Sequence, residues 1–140
     1  MAAGFVLQVV EPHSNGLGGE VLAALAGQGV VVVNGQGPAA AAIERFADLV
    51  PGSGLLSACV RGAFDAWMLL LEGFGTRTVG EVLAPAPRTL WRTPALVATY
   101  RRLAAEAEAA GGDREQQIEA ARAALSPRRS RSSASATVAC

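Results

Sequence analysis

At 140 residues, 51% of them hydrophobic, the chain can bury the core of one domain and carry some extension. Twelve arginines, with no lysine, balance twelve carboxylates, and two cysteines (Cys59 in an apolar run, Cys140 at the last position) exclude a disulfide framework or a zinc-ligand spacing. The longest apolar runs, such as residues 67–71, fall far short of the roughly 20 residues that cross a bilayer. No cation precedes Arg45, so no secretory or transit signal is expected.

Residues 5–10 read as a first strand, and Glu11-Pro12-His13-Ser14-Asn15-Gly16 as a loop dense in turn formers. Residues 18–26 predict a short helix with Val21, Leu22 and Leu25 on one face, stopped near Gly27 and Gly29. The four valines 30–33 predict a strand buried on both faces. Gly35 and Gly37 allow a close backbone approach, and Pro38 suits the first position of a helix over residues 38–49 with Ile43, Phe46, Ala47 and Val50 at helical spacing. Residues 55–60 predict a third strand that runs on, after a break at Gly62, through residues 67–71. Glu72-Gly73-Phe74-Gly75 then reads as a hairpin tip, and residues 76–83 as a fourth strand.

Ala84-Pro85-Ala86-Pro87 reads as a stiff linker. Thr93 as N-cap and Pro94 at the first helical position open a helix to Ala110, with Leu96, Tyr100, Leu103 and Ala107 on one stripe. Gly111-Gly112 end it, and Asp113 with Gln116 starts another helix that stops before Ser126-Pro127. The expected organisation is a domain over residues 1–87, a helical extension over 88–125 and a disordered Ser/Arg-rich tail over 126–140. Residues 1–87 hold seven carboxylates against three arginines, a net −4; the remainder is +4. An acidic body with a basic tail is implied.

Gly35-x-Gly37-x-x-Ala40 between a strand and a helix satisfies a dinucleotide fingerprint, and Arg61 after the next strand is compatible with a 2′-phosphate, so an NADP-type site is one alternative. The hairpin reading of residues 67–83 leaves too few parallel strands for its crevice. His13 and Ser14 are adjacent, without a placed acid or oxyanion turn, so no catalysis is expected there. Cys59 reads as core. Arg101 and Arg102 read as a solvated helix face beside Glu106 and Glu108.

The segments Phe5-Val6-Leu7-Gln8-Val9-Val10, Ser14-Asn15, Val31-Val32-Val33-Asn34-Gly35-Gln36-Gly37-Pro38 with the alanines that follow, and Arg77-Thr78-Val79-Gly80-Glu81-Val82-Leu83 together resemble the stage V sporulation protein S family of the Alba-like superfamily. The resemblance covers about residues 4–87. It implies an α/β fold, a β-α-β-α-β-β two-layer sandwich to which the C-terminal helical hairpin is appended, and a homodimer formed through the second helix. It further implies a non-enzymatic nucleic-acid-binding protein, for RNA or DNA, with no cofactor and no metal. The implied contacts are Ser14, Asn15, Asn34, Gln36 and Arg77, and the tail arginines Arg128, Arg129 and Arg131 would add phosphate affinity. The acidic body, and Glu11, Pro12 and His13 where that family has a lysine, favour a second reading as an accessory subunit of a larger assembly. The expected location is an intracellular reducing compartment, cytoplasm, nucleus or organelle, away from membranes.

Overall fold

Phe5, Gln8 and Val9 are buried while Leu7 is 42% exposed. A strand would place residues 5, 7 and 9 on one face; burial at i, i+3 and i+4 is the signature of a helix. In the computed structural model, which describes residues 1–17, 19, 21–26, 30–39, 52–54, 60–88, 93–125 and 135–139, the chain accordingly opens with α1 (Ala2–Val10). The β-branched residues that favour a strand here are outweighed by packing: Phe5 meets Phe64, Trp67 and Tyr100 at ring-centroid separations of 6.2, 6.1 and 5.6 Å, the last edge-on.

The expected third-strand continuation and hairpin are also helical. Residues 67–71 lie within α2 (Ala63–Phe74) and residues 79–83 form α3 (Val79–Leu83). One side of α2 sends Phe64, Met68 and Leu71 into the larger core cluster; another sends Ala63, Ala66 and Leu70 into a smaller cluster beneath the sheet. A helix covered on two sides has a nearly continuous apolar sequence, which mimics a buried strand. At α3, Thr78 Oγ1 accepts from the Glu81 amide (3.2 Å) while Glu81 accepts from the Thr78 amide (2.8 Å), a reciprocal cap.

Residues 84–87 lead into a 3-10 turn (Ala86–Arg88) whose Ala86 is fully buried. Helices α4 (Pro94–Ala110) and α5 (Arg114–Leu125) then form the expected antiparallel pair, joined through Gly111 and Gly112 at φ +60° and +67°. Val97, Tyr100, Leu103, Ala107, Ile118 and Ala121 share one cluster with Phe5, Val9, Phe64 and Leu83. Arginines fasten α5 to α2: Arg114 donates to the Gly75 and Glu72 carbonyls, and Arg122 faces Asp65 (3.6 Å) and Glu72 (3.4 Å).

The sheet is antiparallel, in the order β1 (Leu22–Ala26), β2 (Val30–Asn34), β3 (Ser135–Ala139). Leu22 pairs with Asn34 and Ala26 with Val30; Val30 pairs with Ala139 and Asn34 with Ser135. Thus residues 22–26, expected as helix, are strand, because pairing with the valine run overrides the local preference of Leu-Ala-Ala-Leu-Ala. Residues 135–139, expected disordered, pair as well. The valine run is buried only on one side, at Val33 beside α2, while Val30 and Val32 stay exposed.

The β-α-β-α-β-β sandwich is therefore replaced by a mostly helical body with a small antiparallel sheet. The expected helix over 38–49, apart from Pro38 and Ala39, lies outside the described residues, as do residues 55–59 with Cys59, tail residues 126–134 and Cys140.

Candidate functional site

The paired glycines have a structural explanation. A Cβ at Gly62 would meet the Gly35 carbonyl, Gly37 N (2.7 Å) and the Gln36 carbonyl carbon (3.0 Å); one at Gly37 would strike the Val60 carbonyl. One at Gly35 would meet Ala66 Cβ and Val21 O (2.9 Å). Residues 35–37 and 60–62 thus cross backbone on backbone, tied by Val60 N to Pro38 O at 2.9 Å. The glycines leave room for another segment of this chain. Since β2 has antiparallel neighbours on both edges, the parallel crevice of an NADP-type site is absent among the described residues.

The loop that leaves α1 is polar and closed by its own backbone bonds. Glu11, Pro12, His13, Ser14 and Asn15 are all exposed. The amides of Ser14 and Asn15 both donate to the Glu11 carbonyl, at 3.0 and 2.9 Å, which closes a turn. The Gly16 carbonyl accepts from Gly19 N (3.0 Å) and from Gln8 Nε2 (3.0 Å). The Gln8 Oε1 in turn accepts from the Tyr100 hydroxyl. Burial pushes the Tyr100 phenol well above its ordinary pKa of 10, so it remains a proton donor at any physiological pH.

The other expected contacts are dispersed. Asn34, the last residue of β2, and Gln36 are exposed, and Asn34 Oδ1 accepts from the Gln36 amide (3.0 Å). Their turn adjoins the loop side of the sheet, because Gly35 N donates to Val21 O at 2.6 Å. Arg77 stands apart, before α3, paired with Glu81 at 3.1 Å. The Glu81 carboxyl is held below its usual 4.5, first by the Thr78 amide and then by Arg77. Arg128, Arg129 and Arg131 lie outside the described residues. Among the described residues, no cluster of His, Cys, Asp and Glu is arranged to hold a metal ion.

A family model, Gamma-glutamyltranspeptidase, matches residues 1–114. The chain belongs to the gamma-glutamyltranspeptidase family. No curated protein matches it. The match takes in α1, the loop, β1, β2, α2, α3 and α4, and overturns the resemblance to stage V sporulation protein S and the Alba-like superfamily. It overturns the function drawn from that resemblance too. A family named for group transfer points to an enzyme, where a non-enzymatic nucleic-acid binder was expected, and it supports neither the accessory-subunit nor the NADP-type reading.

Two residues important to the loop escaped the sequence reading. The sequence pattern puts Gln8 in an expected strand and Tyr100 on the apolar stripe of α4, with no polar role for either. Once residues 2–10 are helical, Gln8 is a lone polar side chain on a buried face. Such a residue requires hydrogen-bond partners, and that requirement was the available signal.

Proposed function

We propose that this chain serves γ-glutamyl transfer by holding the donor's polar glutamyl end at the loop over residues 11–17, with Ser14 and Asn15 as its contacts. γ-Glutamyl transfer breaks the amide at the side-chain carbonyl of glutamate, releases the amine with a proton, and passes the acyl group to an acceptor amine or water. The donor's free α-amino and α-carboxylate groups need hydrogen-bond partners in fixed positions. A hydroxyl and a carboxamide together can both accept from the ammonium and donate to the carboxylate. The supporting observation is the family match, combined with a solvent-facing turn fixed at the Glu11 carbonyl on one side and the Gly16 carbonyl on the other.

The test is a titration of the ¹⁵N-labelled 140-residue chain with γ-glutamyl-p-nitroanilide. Saturable amide shifts confined to residues 13–16, weakened at least fivefold in Kd by Ser14→Ala with Asn15→Ala, support the reading. Absence of saturation, or saturation that the double substitution leaves unchanged, overturns it.

A further inference from the structure

Gln8 is 3% exposed and Tyr100 is fully buried, yet their polar atoms form a single line from α4 to the loop. The direction of that line is determined. The Gly16 carbonyl can only accept, so Gln8 turns Nε2 toward it and Oε1 toward Tyr100, whose protonated phenol donates. The flipped carboxamide would set Oε1 against the Gly16 oxygen, with no proton between two acceptors. The phenol's donated bond anchors the amide oxygen, and the anchored amide holds the Gly16 carbonyl in place. The ring itself is fixed by its edge-on contact with Phe5, 5.6 Å between centroids.

We infer that Gln8 and Tyr100 are positioning residues for γ-glutamyl binding, the Tyr100 hydroxyl acting through the Gln8 carboxamide on the Gly16 carbonyl to fix the turn that carries Ser14 and Asn15. This rests on the reading of the loop as the glutamyl contact. Both side chains are too deep to touch a ligand themselves. Their effect is preorganisation: a turn already held in one geometry loses less freedom when it binds. Tyr100 belongs to α4, so the α4–α5 hairpin reaches the loop through one bonded chain, although 84 residues separate Gly16 from Tyr100 in sequence. The two links act in series, so breaking either releases the turn, and breaking both releases it no further.

The full chain, ¹⁵N-labelled, supplies the test through hydrogen exchange and through Kd for γ-glutamyl-p-nitroanilide. In the unsubstituted chain the Gln8 Nε2 protons and the Gly19 amide are expected to exchange slowly. Tyr100→Phe keeps the ring and removes the donor; Gln8→Met keeps the length and removes both bonds. Each is expected to speed exchange at Asn15 and Gly19 at least tenfold and to raise Kd at least fivefold. The double variant should match the larger single effect. Thr99→Val, one residue away on α4, whose hydroxyl bonds along its own helix to the Ala95 carbonyl (3.0 Å), should change neither. Rapid exchange of the Gln8 Nε2 protons in the unsubstituted chain overturns the inference without any variant. Loop exchange unmoved by Tyr100→Phe and Gln8→Met, or effects that simply add, also overturns it. Faster loop exchange in a chain that never binds the anilide refutes the glutamyl reading while the relay itself stands, so the two failures are distinct.

Discussion

The helical body and the sheet corner are held together by different means. In the body, large side chains interlock: Phe5, Phe64, Met68, Leu71, Tyr100, Leu103 and Ile118 are all essentially inaccessible to solvent. In the sheet corner the cluster is small, and closure comes from main chain passing main chain at Gly35, Gly37 and Gly62. The body tolerates no loss of volume, whereas the corner tolerates no gain. The loop over residues 11–17 lies in sequence between them, anchored by the body through Gln8, with the corner reached at Val21.

The sharpest way to break this contrast is to remove volume from the body. Phe5→Ala is expected to cost about 3–5 kcal/mol, read as a lower urea midpoint with helical and sheet signals lost together. Adding volume to the corner comes next. Gly62→Ala is expected to cost about 1–3 kcal/mol or more, because the obstruction is backbone that cannot rotate away. Its signature is faster amide exchange in β1 and β2 while α4 and α5 keep their protection. Equal loss of protection in both regions would show that the two are not separately held.

Smaller effects are expected at the body's surface. Thr78→Ala removes one half of the reciprocal cap and should cost about 1 kcal/mol, measured by chemical denaturation at neutral pH. Glu81 supplies the pH-dependent part. Its folded pKa lies below 4.5, so its stabilisation is fully present above the unfolded value and is lost as pH falls through the folded one. Glu81→Gln should flatten the acid limb of the stability profile. Thr78→Ala, which keeps the backbone amide bond to Glu81, should lower the profile and leave most of that slope.

Local signals were legible where one local rule dominated. Pro94 opening α4, Gly111-Gly112 turning at positive φ, and Asp113 Oδ1 accepting from Gln116 N at 3.0 Å all follow from single residues. Thr93 does stand at the N-cap, but its hydroxyl makes no cap bond and reaches the Val9 carbonyl at 3.5 Å instead. The Thr78–Glu81 spacing announced a helix start, but the strand pattern assigned to residues 76–83 hid it. For the candidate site, the turn residues Ser14 and Asn15 were visible as a polar loop, while the buried pair that supports them was not.

The sequence by itself determined the valine strand, the α4–α5 hairpin and the glycines as points of close approach, because these depend on backbone conformations and terminal bonds that neighbouring residues supply. Only the tertiary structure decided that residues 2–10 and 63–74 are helices and residues 22–26 a strand. Their local preferences are weak or contrary, and the free energy that chooses between periods comes from which side chains find a partner across the core. The same holds for Gln8 and Tyr100, whose role exists only once folding brings positions 8, 16 and 100 within hydrogen-bonding reach.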